Sequence, residues 1–231
     1  YDHRLFLNQF YTGRFAGSFA SGEPFNYNPA NQDMRICGTA ASLAGLQRAL
    51  EKHDLREEQL ALERLQLIHS IILSTGGIPL LYIGDEIATL NDYSYLENPH
   101  HADDSRWVHR VAFQEDHAAH RNDTRTTWGY TFNQIRRLIT LRKSHPAFGG
   151  SHCEFYDSGN THVLLYWRPA QDGGIAGGIL CVANFSEKPQ HISAQHLSLK
   201  HNKHLWQNLV DGRLHNPHQD LLLLPYQFMW L

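Results

Sequence analysis

An apolar segment with glycine and proline at its start and acidic residues at its end constrains the fold of this chain most. It reads Gly-Gly-Ile-Pro-Leu-Leu-Tyr-Ile-Gly-Asp-Glu and runs from Gly76 to Glu86. A short apolar run between turn signals is typical of a parallel strand that is buried on both faces. Such a strand needs a whole sheet around it, and a closed parallel β/α barrel takes about 250 residues. Because only one such unit is visible, we expect a piece of a larger enzyme.

Composition and charge exclude several classes of function. Hydrophobic residues make up 42% of the 231 residues, which is enough to build a core. The formal net charge is -3 and the basic residues are scattered along the chain, so we expect no binding to nucleic acid or to an anionic membrane. No apolar run approaches the roughly 20 residues that a membrane-spanning helix requires.

The two chain features that bear on compartment are the cysteines and the first residues. Cys37, Cys153 and Cys181 are odd in number and have no close pairing pattern, which argues against a disulfide framework. This usage favours a reducing, cytoplasmic location over secretion. The chain begins at Tyr1 without a methionine or an apolar leader, so we expect an internal start, and the compartment stays unknown.

The pattern along the chain predicts three parts. Residues 1–50 are rich in Phe, Tyr, Asn, Gly and Pro, and we expect a loop-rich and helical excursion over the active site, with a short helix through Leu5, Phe6 and Phe10 and a compact one between Cys37 and Leu50. Residues 51–147 read as the last helix-strand-helix part of a β/α barrel. Residues 148–231 read as a C-terminal antiparallel β-sandwich.

The predicted barrel part combines two helical patterns with a long polar loop. Apolar residues recur at helical spacing before Gly76 and again from Phe132 to Leu141, where the helix must end by Ser144 because Pro146 disfavours helix at the residue before it. Between these helices, the loop from Asn91 to Thr127 follows the predicted strand. Loops at the carboxyl ends of barrel strands carry the chemistry of such folds.

The last part has the spacing of a small antiparallel sandwich. Turn residues separate short strand-like runs. The turns are at 157–160, 172–174 and 211–212, and the predicted strands are at 152–156, 163–167, 179–185, 190–193, 221–224 and 226–230.

Several motifs together resemble the alpha-amylase family of glycoside hydrolases, and within it the amylosucrases and the related sucrose hydrolases. The first is the eighth-strand motif of that family, seen here at 77–86, and the others are at 14–20, 33–41, 89–92, 103–107 and 225–231. The resemblance implies an α/β plus β fold, in which the C-terminal slice of a (β/α)8 barrel with its late loop excursion precedes an antiparallel β-sandwich. It implies sucrose and an α-glucan as partners, together with the missing N-terminal half of the barrel, and no cofactor.

The resemblance also implies a retaining mechanism with an Asp nucleophile, a Glu acid/base and a further Asp, whose motifs all lie upstream of this chain. A retaining mechanism needs two carboxyl groups about 5 Å apart across the scissile bond. Asp85 and Glu86 are sequence neighbours that would point to opposite faces of a continuing strand. We therefore assign no catalytic residue here, expect both to hold the end of the strand by hydrogen bonds, and predict that this chain alone has no turnover.

Sugar recognition is the contribution that the resemblance implies for this chain. Arg106 matches the arginine that pairs with an upstream Asp below the glucosyl ring, Arg35 with Asp33 matches the contact to the fructosyl or acceptor sugar, and Arg4 matches an arginine farther along the acceptor groove. A guanidinium presents several donors to sugar hydroxyls in fixed geometry. The chain departs from the family pattern at Met34 and at Asn26-Tyr27, which bear on acceptor preference.

The sequence is also compatible with other functions. Transfer to glucan and hydrolysis by water stay open, as does another glycosidase of the same family. A non-catalytic carbohydrate-binding module is the alternative of another class, since Trp167, Trp206 and Tyr226 could stack on sugars. It would leave the strand from Ile78 to Ile83 without neighbours.

The sequence contains no complete motif for a zinc site, a phosphate loop or an activated nucleophile. The 17 histidines include pairs at 100/101, 117/120 and 201/204, but none comes with the ligand set of a zinc site. The glycine-rich run at 173–178 lacks the Lys-Ser/Thr of a phosphate loop. No Gly-x-Ser-x-Gly elbow is present, and Cys37 has no evident base. We therefore expect no metal site.

Overall fold

A computed structural model describes residues 2–170, 177–197 and 205–231. The chain divides into two compact units, one formed by residues 1–65 and 81–133 and the other by residues 66–80 and 134–231. The predicted turn at 172–174, most of the glycine-rich run at 173–178 and the histidine pair at 201/204 lie outside the described residues.

The first unit begins with a helix, a β-hairpin and two short helices. These are α1 (Asp2–Tyr11), β1 (Glu23–Asn28), β2 (Asp33–Cys37), α2 (Ala40–Leu43) and α3 (Leu46–Glu51). Helix α1 confirms the predicted short helix. The hairpin was missed, because its strands contain Pro and Asn and lack apolar alternation. The single helix predicted between Cys37 and Leu50 is wrong, since the chain breaks at Gly45, whose φ of 103° is in the left-handed region.

Two apolar clusters stabilise the first unit. Helix α4 (Leu55–Ser74) contributes Ala61, Leu62 and Leu65 to one cluster, which also contains side chains of α2 and α3. The other cluster contains Cys37 at the end of β2 together with Tyr95 and Val108 of the long loop. That loop contains one short helix, α5 (Glu115–Ala119), and several 3₁₀ turns, and it ends at α6 (Thr127–Ser144), which stops at the predicted residue.

A four-stranded antiparallel sheet is the centre of the second unit. Its strands are β3 (Glu154–Tyr156), β4 (Val163–Arg168), β5 (Ile179–Asn184) and β10 (Phe228–Trp230), in the spatial order β10-β5-β4-β3. Two further antiparallel pairs join β6 (Gln190–Ile192) to β9 (Leu221–Leu223) and β7 (Trp206–Gln207) to β8 (Leu214–His215). The six predicted strand runs are confirmed in place. The pair β7–β8 and the short helix α7 (Ala194–Leu197) were missed.

The sheet is covered on both faces, and side chains alternate between two cores as the pleat requires. One face presents Leu165, Val182 and Met229 to the small β-pairs, where Ile192 and Leu223 are buried. The opposite face presents Tyr166, Cys181 and Trp230 to the later parts of α4 and α6, which supply Leu67, Leu73 and Leu138. The Tyr166 hydroxyl and the Ser74 hydroxyl are hydrogen-bonded inside this second core.

The segment that was predicted as a buried parallel strand is not a strand in this structure. Residues 78–83 have no regular secondary structure, and the side chains of Ile78 and Leu80 are 98% and 85% exposed. The residues of this chain by themselves therefore do not bury the segment, and the predicted barrel strand is not confirmed. The physical reason is that a parallel strand needs hydrogen-bonded neighbours on both sides, and every strand pair among the described residues is antiparallel.

Strand β9 offers a direct test of the packing. Leu223 is fully buried, whereas its neighbour Leu222 is 47% exposed on the other face of the same strand. We expect Leu223→Ala to lower the free energy of unfolding by about 2–5 kcal/mol, because it leaves a cavity in the core. The matched change Leu222→Ala should cost less than about 1 kcal/mol. Urea unfolding measures both values, and equal losses would contradict the assigned register.

Candidate functional site

The β1–β2 hairpin and helix α1 bring together residues that are far apart in sequence. The Arg4 guanidinium donates through Nη1 to Oδ2 of Asp33 at 3.0 Å. Beside this ion pair lies a cavity of about 300 Å³ that is lined by α1 and by the tip of the hairpin. Its lining residues are Arg4, Leu5, Asn8, Asn31 and Gln32. Most of the accessible lining surface is apolar, and its polar groups come from Arg4, Asn8, Asn31 and Gln32.

The tip of the hairpin is held by short-range side-chain hydrogen bonds. Oδ1 of Asn31 accepts from the backbone N–H of Asp33 at 3.0 Å, and Oδ1 of Asn28 accepts from the backbone N–H of Ala30 at 3.0 Å. Gln32 has a φ of 55° in the left-handed region, which completes the turn. Asx-type bonds of this kind fix a turn in place of a backbone ladder. They set the position of the Asp33 carboxylate opposite Arg4.

The base of the hairpin is held by one buried amide, that of Asn91. Its Oδ1 accepts from the backbone N–H of Thr39 at 2.8 Å, just after β2 ends, and its Nδ2 donates to the carbonyl of Ser21 at 2.6 Å, just before β1 begins. The backbone N–H of Asn91 donates to Oγ of Ser42 at 2.9 Å. A single side chain thus ties both ends of the hairpin to the long loop.

Arg106 lies in that loop and is fixed by the carboxylate two residues before it. Its Nε and Nη2 donate to Oδ1 and Oδ2 of Asp104, each at 2.8 Å. The guanidinium lies over the ring of Phe25 on β1, with 4.7 Å from Cζ to the ring centroid. Next to it, Oγ of Ser105 donates to the carbonyl of Pro24 at 2.8 Å. Arg106 is therefore held against the hairpin by an ion pair within its own loop.

Arg35 completes the set of predicted residues. It lies on β2 directly across from Phe25, so that both side chains are on one face of the hairpin. Its side chain is exposed. Arg4, Asp33, Arg35 and Arg106 thus all lie on or against the same hairpin, with the first two at its tip and the last two beside Phe25. Their predicted roles in sugar recognition stay predictions.

The Asp104–Arg106 arrangement has a twin in the same loop, and sequence reasoning missed both. Nε and Nη2 of Arg125 donate to the two carboxylate oxygens of Asp123 at 2.9 and 2.8 Å. The shared signal is an Asp followed two residues later by an Arg, which lets one carboxylate accept from the Arg backbone and side chain together. The two pairs differ in their surroundings, because the side chain of Arg125 is 88% exposed.

The Asp104 carboxylate is electrostatically the most strongly affected group of this site. Side-chain hydrogen bonds from Arg106 lower the pKa of Asp104 to about 2, and the Arg106 backbone N–H and the charge of Arg110 act in the same direction. Asp123 has a pKa of about 2 for the same reason, with Arg125 as its partner. Both carboxylates are therefore ionised at neutral pH and serve as anchors for their arginines.

Glu86, which follows the exposed apolar segment, has a structural role in the chain. Oε2 of Glu86 accepts from the backbone N–H of Gly84 at 2.8 Å, which fits the expectation that it stabilises this junction. Gly84 has a φ of 96° and begins the 3₁₀ turn at Asp85–Ile87.

Among the described residues, no group of three or more His, Cys, Asp or Glu side chains is placed to hold a metal ion. The described helices include none with the length and apolar character needed to cross a bilayer.

Comparison with known proteins gives a family match for the last part of the chain. Residues 154–231 match the model of the amylosucrase C-terminal domain. Over 185 residues, or 79% of the chain, the sequence is 28% identical to glucosylglycerate phosphorylase of Escherichia coli. It is also 28% identical over 148 residues to trehalose synthase of a Pimelobacter species. The chain corresponds to the C-terminal region of alpha-amylase-family enzymes.

Solved structures agree with this alpha-amylase-family assignment at the level of the fold. A variant of AmyP in complex with maltotriose matches 83% of the chain with a TM-score of 0.60 and 16% identity. Pullulanase from Anoxybacillus sp., also in complex with maltotriose, matches 82% with a TM-score of 0.55 and 21% identity. The chain covers 30% of the length of the phosphorylase and 37% of that of AmyP.

Titration of Asp104 tests the geometry of this candidate site. Its pKa is lowered on folding, so the ion pair stabilises the fold fully above pH 4, and this contribution is lost as the pH falls through about 2. We expect Arg106→Ala to raise the Asp104 midpoint towards its ordinary range while Asp123 keeps its own. Carboxyl NMR between pH 6 and 1 measures both midpoints. The matched variant Arg125→Ala should raise only the midpoint of Asp123. An Asp104 midpoint that is unchanged in Arg106→Ala would contradict the pairing of Asp104 with Arg106.

Proposed function

We propose that this chain is the C-terminal part of an amylosucrase-like enzyme that cleaves sucrose with retention and transfers glucose to an α-glucan. The observation that carries the proposal is the match of residues 154–231 to the amylosucrase C-terminal domain, together with a hairpin that gathers three arginines and Asp33. Sucrose hydrolysis is the close variant, in which water replaces the glucan.

The arginines and Asp33 suit a role in holding sugars. Sugar hydroxyls both donate and accept, so they are bound well where a guanidinium and a carboxylate are fixed side by side. In this proposal, Arg106 orients the glucosyl ring of the donor, and the fructosyl or acceptor sugar contacts Arg35 and Asp33. Arg4 binds a later acceptor unit.

The chemistry is proposed to come from residues outside this chain. Retention needs an acid/base and a nucleophile about 5 Å apart. Asp104 is ionised and held by Arg106, and the Glu86 carboxylate accepts from the backbone of its own turn, so neither is assigned as the acid/base or the nucleophile. The exposed apolar segment from Ile78 to Ile83 is proposed to be the eighth strand of a barrel, with the rest of the barrel covering it. The proposed enzyme needs no metal and no nucleotide.

A second candidate is phosphorolysis, in which inorganic phosphate replaces water or glucan as the acceptor. It is favoured by one observation, the similarity over 79% of the chain to a protein named glucosylglycerate phosphorylase. Both candidates share a donor sugar and a glycosidic bond, and they differ in the acceptor. Product analysis separates them.

The first experiment follows the products from sucrose with the full-length protein that contains this chain. If glucose is transferred, fructose is released in excess over free glucose and an α-glucan accumulates. Equal amounts of glucose and fructose mean hydrolysis, and glucose 1-phosphate formed in the presence of inorganic phosphate means phosphorolysis. If no fructose is released from sucrose with glucan, with water alone or with inorganic phosphate as the acceptor, the sucrose proposal is wrong.

The role of Arg106 is tested with Arg125 as the matched control. We expect Arg106→Ala to lower kcat/KM for sucrose by about 10- to 100-fold, because a charge-assisted hydrogen bond to a donor hydroxyl is lost. Arg125→Ala removes a guanidinium from the same Asp-x-Arg geometry at an exposed position, and its kcat/KM should stay within about twofold of the parent. If the two variants lose kcat/KM equally, Arg106 has only a structural role.

A further inference from the structure

The turn that carries Arg106 has few bonds of its own. It is a 3₁₀ turn at Ser105–His109, in which Val108 is the one buried side chain. Short 3₁₀ turns have poorer hydrogen-bond geometry than an α-helix, so other contacts must fix their position. Asp104 precedes the turn and accepts from the backbone and the side chain of Arg106. The position of Arg106 therefore depends on the contacts that hold Asp104 and the turn.

Trp107, the residue after Arg106, is stacked on the imidazole of His101. The two ring centroids are 3.6 Å apart, and the ring planes are inclined by 14°. Trp107 also packs against the buried cluster that contains Cys37 and Val108. Stacked ring pairs stabilise a structure beyond the area that they bury. The ring of Trp107 thus joins the turn both to His101 and to the apolar cluster.

Hydrogen bonds fix the orientation of His101. Its Nδ1 accepts from Nδ2 of Asn98 at 3.3 Å, and Oδ1 of the same amide accepts from the backbone N–H of His100 at 3.0 Å. The carbonyl of His101 accepts from the backbone N–H of Asp104 at 2.9 Å. His101 therefore contacts this part of the loop twice, through its backbone at Asp104 and through its ring at Trp107.

Arg110 links the stack to the carboxylate that holds Arg106. Its Cζ lies 5.1 Å from the centroid of the Trp107 ring, and its Nη1 lies 3.9 Å from Oδ2 of Asp104. The same Oδ2 accepts from Nη2 of Arg106 at 2.8 Å. A shift of the Trp107 ring would therefore disturb a cation beside the carboxylate as well as the backbone next to Arg106.

A second stack in the same loop shows that a contact between histidine and tryptophan does not by itself mark this site. His117 and Trp128 have ring centroids 4.1 Å apart and planes inclined by 4°. Neither is hydrogen-bonded, ion-paired or stacked with Asp104 or Arg106 in the described part of the chain. The double contact with the turn of Arg106 is what distinguishes His101.

We infer that His101 is a positioning residue, which holds Arg106 in place for the donor sugar through its stack on Trp107. The inference rests on the proposed function for the role of Arg106, and it deepens that function by giving a role to one of the histidines at 100/101. The face of the imidazole ring makes the contact, so a phenyl ring can replace it. His101 acts through its neighbours and does not touch the sugar.

The kinetic test uses sucrose and the full-length protein that contains this chain. We expect His101→Ala to lower kcat/KM by roughly threefold to tenfold, as loss of one aromatic stacking contact does, and His101→Phe to stay within about twofold. In the Arg106→Ala background, His101→Ala should change kcat/KM by less than about twofold, because residues that act through one another are not additive. His117→Ala removes the matched stack and should stay within about twofold of the parent.

Carboxyl NMR of Asp104 in the same protein tests the positioning without any turnover. We expect His101→Ala to raise the Asp104 midpoint, because a looser turn holds the Arg106 guanidinium less firmly on the carboxylate. The midpoint should return to about 2 in His101→Phe and stay there in His117→Ala. A phenyl ring keeps the stack and carries no charge, so these variants separate stacking from the charge of a protonated imidazole.

Four outcomes would overturn the inference. They are an Asp104 midpoint that is unchanged in His101→Ala, a midpoint in His101→Phe as high as in His101→Ala, an equal loss of kcat/KM in His117→Ala, and additive losses in the double variant. If sucrose is not cleaved while His101→Ala still raises the Asp104 midpoint, the proposed function is wrong and the hold on Arg106 stands. If sucrose is cleaved and kcat/KM is unchanged in His101→Ala, the stack has no part in donor binding and the inference is wrong.

Discussion

The buried amide of Asn91 is the contact on which the candidate site depends most. Its oxygen and nitrogen bind backbone groups on both sides of the β1–β2 hairpin, and its own N–H binds Ser42. A two-stranded hairpin has little stability by itself in water, so its position must come from such tertiary contacts. Because Asn91 begins the loop that carries Arg106, this clamp joins the two parts of the site. Loss of either amide group would leave buried backbone groups without partners.

The sequence predicted the second unit better than the first, and the difference has a physical basis. Strands β4 and β5 are buried on both faces, so that nearly every residue is apolar and the boundaries fall at turn residues. The hairpin β1–β2 has polar residues at exposed positions and takes its order from Asn91, Ser105 and Arg106, which are distant in sequence. No local pattern in residues 23–37 reports those contacts. The same limit applied to Gly45, whose left-handed conformation divides a pattern that looked like one helix.

Residue types in the candidate site were predictable, but their grouping was not. The resemblance selected Arg4, Asp33, Arg35 and Arg106 one at a time, and only the structure brings Arg4 to Asp33 across 29 positions. The Asp-x-Arg pairs could have been found from sequence, because their geometry involves residues two apart. The β-bulge at Asn26 and Tyr27 of the hairpin could not, since it is defined by the register between two strands.

The segment from Ile78 to Ile83 shows how composition and structure can disagree within one chain. Its side chains have the character of a core strand, yet Ile78 and Leu80 are almost fully exposed. Burying apolar surface stabilises a protein by roughly 25 cal/mol per Å², so an exposed run of this kind forgoes a favourable contribution. An exposed apolar run also invites non-specific pairing with other strands. In the sheets formed by the described residues no strand lies beside this segment, and the proposed eighth strand of a barrel is the arrangement that would cover it.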